Sequence, residues 1–245
     1  MRFTDAEVDR YARHLVLREI GGAGQQKLRA ASVLIVGAGG LGAPAALYLA
    51  AAGVGRIGLV DPDAVALSNL QRQVIYDTND VGRAKAVAAA EKLERLNPGV
   101  TAEVIERRLD ADSADMVAAY DLVLDGTDDF ETRLIVSDAC VKHGKTLVSG
   151  AIGRWSGQIG VFSGKPCYRC FLGEAPPDGE TCETTGVVGA LAGVIGSMMA
   201  LEAVKLIAGA GEPLVGRMLI YDSLSAEART VRVAADPACR ACGEG

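Results

Sequence analysis

The sequence predicts a doubly wound α/β fold: a mostly parallel sheet flanked by helices, with an antiparallel β part towards the C-terminus. Three observations carry this. Apolar runs alternate with stretches of helical spacing as far as residue 150. A glycine-rich loop, GAGGLG at residues 37–42, follows the first continuous apolar run. Beyond Gly150 the intervening helices stop and a hairpin pattern appears.

Residues 4–19 predict one N-terminal helix. Thr4-Asp-Ala-Glu7 is a capping-box pattern, and Val8, Tyr11 and Leu15 recur at helical spacing. Gly21 and Gly22 read as its end. Residues 31–36 are continuously apolar, as suits a parallel strand buried on both faces. The glycine loop leads into an Ala-rich helix over 44–52. A strand at 56–61 comes next, then a helix over 83–96 stopped by Asn97-Pro98-Gly99. Residues 101–105, 122–124 and 146–149 read as strands, and 113–119 and 131–143 as helices. After Gly150 comes a strand at 158–162 with no helix before it. Residues 166–186 form a Pro/Gly-rich stretch long enough to be a functional loop. An apolar helix spans 187–208, and 219–222 with 228–233 read as an antiparallel hairpin. The expected organisation is one domain over residues 1–245, with a nucleotide-binding half at 1–150 and a β-rich, metal-stapled half at 151–245.

Hydrophobic residues make up 49% and charged residues 23%, an ordinary soluble globular composition. The formal charge of −6 argues against duplex nucleic acid as a partner, because phosphate binding needs a basic face. No apolar segment of signal-peptide type follows Met1. The longest uncharged apolar stretch, residues 187–201, falls short of the roughly 20 residues a spanning helix needs. It reads as a core helix, with no membrane partner. Six cysteines without an export signal point to a reducing, cytoplasmic location.

The glycine loop sits in a Rossmann-like context: an apolar strand before it, a helix after it, and an acid about 20 residues on. Gly37 permits the tight turn, Gly39 and Gly40 keep the backbone open to phosphate, and Gly42 lets helix pack on strand. Asp61, ending the next strand, is placed for ribose hydroxyls. The residues after Asp61 depart from a dehydrogenase pattern. Asn69 and Arg72, in SNLQRQ at 68–73, and Lys85 crowd polar and cationic groups near the loop. Two cations suit a triphosphate, whose charge grows as pyrophosphate leaves; NAD has only a diphosphate. Asp128 ends another strand at the same edge, where Mg²⁺ would bridge carboxylate and phosphate oxygens. Asp129 reads as a helix N-cap.

Two CxxC pairs, Cys167 with Cys170 and Cys239 with Cys242, suit four thiolates around a structural Zn²⁺. The alternative is two redox dithiols. Cys182 precedes the apolar helix, whose N-terminus would lower a thiol pKa while Glu180 and Glu183 oppose it. Cys140 reads as a small core residue. His14 and His143 read as structural or surface residues. Gly186, Gly189, Gly193 and Gly196, three and four apart, suggest close helix packing on the sheet or a dimer contact.

On these residues the chain resembles the MoeB/ThiF family of E1-like adenylyltransferases. The likeness runs from about Asp5 to Cys242. It includes RYARH at 10–14, GAGGLG, Asp61 with SNLQR, Lys85, LVLDGTD at 122–128, and both CxxC pairs. The resemblance implies ATP-dependent activation of the C-terminal Gly-Gly carboxylate of a ubiquitin-like sulfur-carrier protein. An acyl-adenylate and pyrophosphate form, and the acyl-adenylate serves later thiocarboxylate formation. It implies Asp61 on the ribose, Asn69, Arg72 and Lys85 around the phosphates, and Asp128 on Mg²⁺. It also implies Arg13 inserted into a partner subunit's site, hence a homodimer, and carrier binding in the second half. Cys182 matches a position that some members use for a covalent link to the carrier and others do not need. The family often has Cys-Thr-Asp-Asn where this chain has Gly126-Thr-Asp-Asp129. No rhodanese-like domain is expected, so sulfur would come from a separate donor protein, and the length leaves no room for full ubiquitin activation. The molybdenum-cofactor, thiamine and cysteine or tRNA-thiolation pathways all share this core. Two competing readings are an NAD-dependent oxidoreductase, which lacks a catalytic His or Tyr-xxx-Lys set, and a non-catalytic zinc-stapled adaptor.

Overall fold

The computed structural model describes residues 2–173 and 186–243. Helix α1 (Asp5–Arg10) is capped as the sequence implies. Thr4 Oγ1 accepts the Glu7 N–H at 3.2 Å, and the Glu7 carboxylate accepts the Thr4 N–H at 2.8 Å. The single helix expected over 4–19 is instead broken at Tyr11 and resumes as α2 (Ala12–Leu15). Tyr11 is buried, and its hydroxyl accepts from Asn97 Nδ2 at 2.9 Å, so a tertiary contact sets the break. Gly21 and Gly22, read as a helix end, start α3 (Gly21–Ala30). Gly21 takes φ +55° at the joint and lets the chain reverse before the helix begins.

The alternation then proceeds through β1 (Ser32–Val36), α4 (Gly42–Ala52), β2 (Arg56–Val60), α5 (Lys85–Leu96) and β3 (Thr101–Ile105). A 3₁₀ segment, Ala114–Ala119, replaces the helix expected at 113–119 and closes with the Tyr120 N–H on the Val117 carbonyl at 3.2 Å. Next come β4 (Leu122–Asp125), α6 (Phe130–Lys142), β5 (Thr146–Ile152) and β6 (Ser156–Phe162). The short α7 (Tyr168–Leu172) lies inside the stretch read as a loop. The apolar α8 (Gly189–Ala208) leads to the hairpin β7 (Arg217–Asp222) and β8 (Glu227–Arg232).

The eight strands among the described residues join one sheet in the order β3-β2-β1-β4-β5-β6-β7-β8. The first five are parallel; β6, β7 and β8 add antiparallel. The mixed fold, parallel core first and antiparallel strands last, matches the expectation. Strand order reverses between β1 and β4, and the carboxyl ends of those strands frame a crevice.

An apolar layer fills each face of the sheet. Leu28, Ile35, Leu49, Leu93 and Ile195 pack beneath α3, α4, α5 and α8. Val36, Val123, Val136, Cys140 and Phe162 pack on the α6 side. Cys140 is thus the core residue expected, and burial pushes its thiol up to about 12. By length and composition α8 could cross a membrane, but 44% of its most apolar window is buried inside the protein. It packs against α3, α4, β5 and β6. Gly196 and Gly189 make that closeness possible: a Cβ would overlap Pro44 and the Leu41 carbonyl at the first, and the Gln71 carbonyl at the second. Gly193 meets open space, and Gly186 lies before the helix.

Candidate active site

The crevice at the β1/β4 switch point is a cleft of about 600 Å³. Its floor is the glycine loop. Gly37 turns the chain out of β1 at φ +87°, and its N–H donates to the Val60 carbonyl at 2.8 Å. A Cβ at Gly42 would overlap the Gly37 carbonyl oxygen, so loop and α4 close only on glycine. Gly39 and Gly40 line the cleft.

Asp61 stands at the end of β2 and is only 4% exposed. One carboxylate oxygen accepts the Ala38 N–H at 2.8 Å and the other the Asp63 N–H at 2.9 Å. Burial pushes its pKa up, while the Lys85 charge and the two backbone bonds pull it down. Asp61 therefore fastens the glycine loop while facing the cleft, and each oxygen keeps a lone pair for a further donor. Lys85 opens α5 and is buried. Its Nζ lies 2.9 Å from Asp63 and 4.0 Å from Asp61. The buried Tyr76 hydroxyl bridges the Ala38 and Lys85 carbonyls at 2.9 and 3.2 Å, tying loop to helix.

Asn69 and Arg72 form the adjoining wall. Asn69 Oδ1 accepts the Ala66 N–H at 3.2 Å, and Arg72 donates to the Ser68 carbonyl at 3.1 Å. Beside them Gln73 is buried, and its Oε1 has no hydrogen-bond partner among the described residues. It was not singled out from sequence, although it ends the same SNLQRQ run.

The opposite wall is the segment between β4 and α6. Asp128 is exposed into the cleft. Asp129 caps α6, accepting from the Glu131 and Thr132 N–H groups, as read from sequence. Burial raises its pKa, but the bonds from Thr132 and Glu131 outweigh this and hold it below the usual carboxylate range. Arg133, also missed, lies one turn into α6. It is 4% exposed and donates to Asp125 at 3.2 Å, to Ser149 at 3.3 Å and to the Thr127 carbonyl. An arginine four residues beyond a helix N-cap, on the same face, was the available signal.

Other expected residues lie elsewhere. Arg13 is exposed on α2 and is not among the cleft residues. His14 meets Gln25 at 2.9 Å and His143 meets Asp115 at 2.8 Å; neither faces the cleft, as expected for structural roles. Cys182 falls outside the described residues.

The four cysteines converge. Cys167 lies 3.6 Å from Cys239 and 4.0 Å from Cys170, and Cys170 lies 3.3 Å from Cys242, sulfur to sulfur. Thiolates at about 2.3 Å around a tetrahedral zinc stand about 3.8 Å apart, so the spacing fits such an ion. The Asp236 N–H points at Cys170 Sγ at 3.4 Å. Burial raises the Cys239 thiol, but backbone N–H groups of Cys242 and Ala241 outweigh it and bring it to about 7.

Comparison with known proteins adds to this geometry. Residues 11–241 match the model of the ThiF family. This chain belongs to the ThiF family. It is 47% identical to the sulfur carrier protein adenylyltransferase of Thermus thermophilus, over 100% of this chain and 94% of that protein. It is 46% identical to the SAMP-activating enzyme E1 of Haloferax volcanii, over 98% and 90%. The adenylyltransferase and sulfurtransferase MOCS3 of Bos taurus is 48% identical, but the matching region spans 54% of its length. Among solved structures, E. coli MccB with MccA-N7isoASN superposes with a TM-score of 0.85 at 23% identity, covering 96% of this chain and 75% of that one, a likeness of fold. With these relatives, the ThiF-family chain is an adenylyltransferase.

Proposed function

We propose that this ThiF-family enzyme adenylates the C-terminal Gly-Gly carboxylate of a ubiquitin-like sulfur-carrier protein with ATP. One observation carries the reading furthest: Arg72 and Lys85 share a single cleft with the glycine loop and with Asp128. That pairing of cations and a carboxylate suits a triphosphate with its metal better than a dinucleotide. Asp128 would hold Mg²⁺, which supplies charge neutralisation between protein carboxylate and phosphate oxygens when bound. The carrier carboxylate forms a bond to the α-phosphorus as the bond to the bridging oxygen breaks and pyrophosphate leaves. Its nucleophile is already ionised, so no general base is required. Arg72, Lys85 and the glycine loop's backbone align two anions and screen their repulsion, the main demands of this step. Asp61 faces the ribose, and Asn69 joins the phosphate wall.

Further parts of the reading rest on the family and on spacing. The carrier tail reaches the α-phosphate past Ala151, Ile152 and Gln158, which line the cleft from the C-terminal half. The enzyme works as a cytoplasmic homodimer with Arg13 supplied across the interface. Cys167, Cys170, Cys239 and Cys242 hold a structural Zn²⁺. Sulfur comes from a separate donor protein, and Cys182 acts, if at all, after adenylation. The oxidoreductase reading is disfavoured because, among the described residues, no histidine lines the cleft.

The test is ATP–pyrophosphate exchange with Gly-Gly carriers of the molybdenum-cofactor, thiamine and thiolation pathways. Exchange should appear with one carrier and vanish when its terminal glycine is removed. Near-normal exchange in both Lys85→Ala and Asp128→Ala would sink the assigned mechanism.

A further inference from the structure

One buried polar side chain lines the cleft without a role in holding the fold. Gln73 is 4% exposed, and its Oε1 has no hydrogen-bond partner among the described residues. Its backbone is pinned on both sides. The Gln73 N–H donates to the Asn69 carbonyl at 2.9 Å, and its carbonyl accepts the Tyr76 N–H at 3.1 Å. Its carboxamide lies against the glycine loop. A Cβ on Gly39 would stand 3.4 Å from Gln73 Nε2, and a Cβ on Gly40 would stand 3.6 Å from Arg72 Cδ. Consecutive residues of the SNLQRQ run therefore lie over consecutive glycines of the loop.

The loop is already fastened by other groups. The Ala38 N–H donates to the Asp61 carboxylate at 2.8 Å, and the Ala38 carbonyl accepts from the Tyr76 hydroxyl at 2.9 Å. A buried amide oxygen left unpaired costs stability, and an apolar side chain of the same length would avoid that cost. The carboxamide nitrogen, with two N–H donors, stands beside Gly39. In a loop of this type that glycine lets the backbone come up to phosphate. We propose that Gln73 is a further nucleotide-binding residue, its carboxamide donating to a phosphate oxygen seated over Gly39. Arg72 and Lys85 supply charge to the phosphates; Gln73 supplies a neutral, directional donor that fixes where one oxygen sits.

This rests on the reading of the cleft as a nucleotide site, and the experiment separates the two. Binding of adenosine and of Mg·ATP is measured by calorimetry for wild type, Gln73→Met and Gln73→Glu. The thermal midpoint of each is measured without nucleotide. Gln73→Met keeps the length and removes the amide. It should melt at or above the wild-type midpoint and bind adenosine within about twofold of wild type, yet bind Mg·ATP about tenfold more weakly, the loss of one hydrogen bond to a charged group. Gln73→Glu keeps the shape and sets a carboxylate against phosphate, so its loss of Mg·ATP affinity should exceed that of Gln73→Met, again with adenosine spared. A lower midpoint in Gln73→Met would show that the amide serves the fold and would overturn the inference. Equal losses for adenosine and Mg·ATP, unchanged Mg·ATP affinity in Gln73→Met, or a smaller loss in Gln73→Glu would each overturn it too. Absence of Mg·ATP binding by wild type would instead remove the nucleotide reading itself.

Discussion

The Lys85 ammonium is held 2.9 Å from the Asp63 carboxylate, with Asp61 at 4.0 Å on its other side. Two carboxylates thus fix one cation at the mouth of the glycine loop. On the proposed reading, an incoming triphosphate would take up that charge by displacing the exposed Asp63, whereas Asp61 would stay fastened by its backbone bonds. Lys85→Ala should lower pyrophosphate exchange by about a hundred- to thousand-fold. It should also lower the thermal midpoint, because the buried Asp61 loses the charge that offsets its burial. Exchange near the wild-type rate in a folded Lys85→Ala protein would refute this role.

Glycine demand differs along the chain and can be measured. Gly42→Ala puts a Cβ into the Gly37 carbonyl, backbone against backbone. It should cost about 3 kcal/mol in denaturant unfolding and remove ATP binding together. Gly193→Ala, in open space inside α8, should instead stabilise by about 0.5–1 kcal/mol. Equal effects at the two positions would contradict the packing described.

Four sulfurs within one sphere predict about one zinc per chain by elemental analysis. Cys167 and Cys239, 72 residues apart, bring their sulfurs to 3.6 Å, so a metal held there adds its binding energy to the folded state. Cys239→Ser should lower the thermal midpoint by on the order of 10 °C. Full stability in chelated protein would remove the structural role.

A homodimer with Arg13 supplied in trans predicts complementation. Arg13→Ala and Lys85→Ala chains are each inactive; mixed dimers contain one site with both residues intact. Statistical mixing should restore about a quarter of wild-type exchange. No recovery from verified mixed dimers would place Arg13 in its own chain's chemistry, or outside it.

Glu103 on β3 predicts an acid-dependent contribution at the sheet edge. Its carboxylate accepts from Arg56 at 2.8 and 3.0 Å and from the Tyr120 hydroxyl at 2.6 Å. These bonds from Arg56 and Tyr120 hold its pKa below the ordinary 4.5. A lowered carboxylate stabilises the fold above its unfolded pKa and loses that stabilisation as pH falls through the lowered folded value. The pair is partly exposed, so the gain is at most about 1 kcal/mol. The midpoint difference between wild type and Glu103→Gln should hold steady above pH 5 and shrink below about pH 4. A difference that grows in acid would reverse the sign and the assignment.

Local chemistry was legible in the sequence; distant partners were not. The glycine loop could be read because its need is local: Gly37 requires positive φ wherever it sits. The Asp129 cap was read for the same reason, since its partners lie within three residues. The break at Tyr11 was invisible because Asn97, 86 residues away, holds the hydroxyl. β5 outran its expected end at Ser149 because antiparallel pairing with β6 continues to Ile152, past a glycine that looks like a stop. Arg133 escaped notice because a lone arginine on a helix reads as solvated. Only the fold brings Asp125, Ser149 and Thr127 around it.

The last strand has a colloidal consequence. All six residues of β8 are exposed, and among the described strands it forms one end of the sheet. Such an edge offers unpaired backbone to any extended chain that passes. Here Glu227, Arg229 and Arg232 punctuate it. A second copy laid alongside in parallel register would set arginine against arginine, so charge on this hairpin opposes that one mode of edge stacking, a duty independent of the cleft's chemistry.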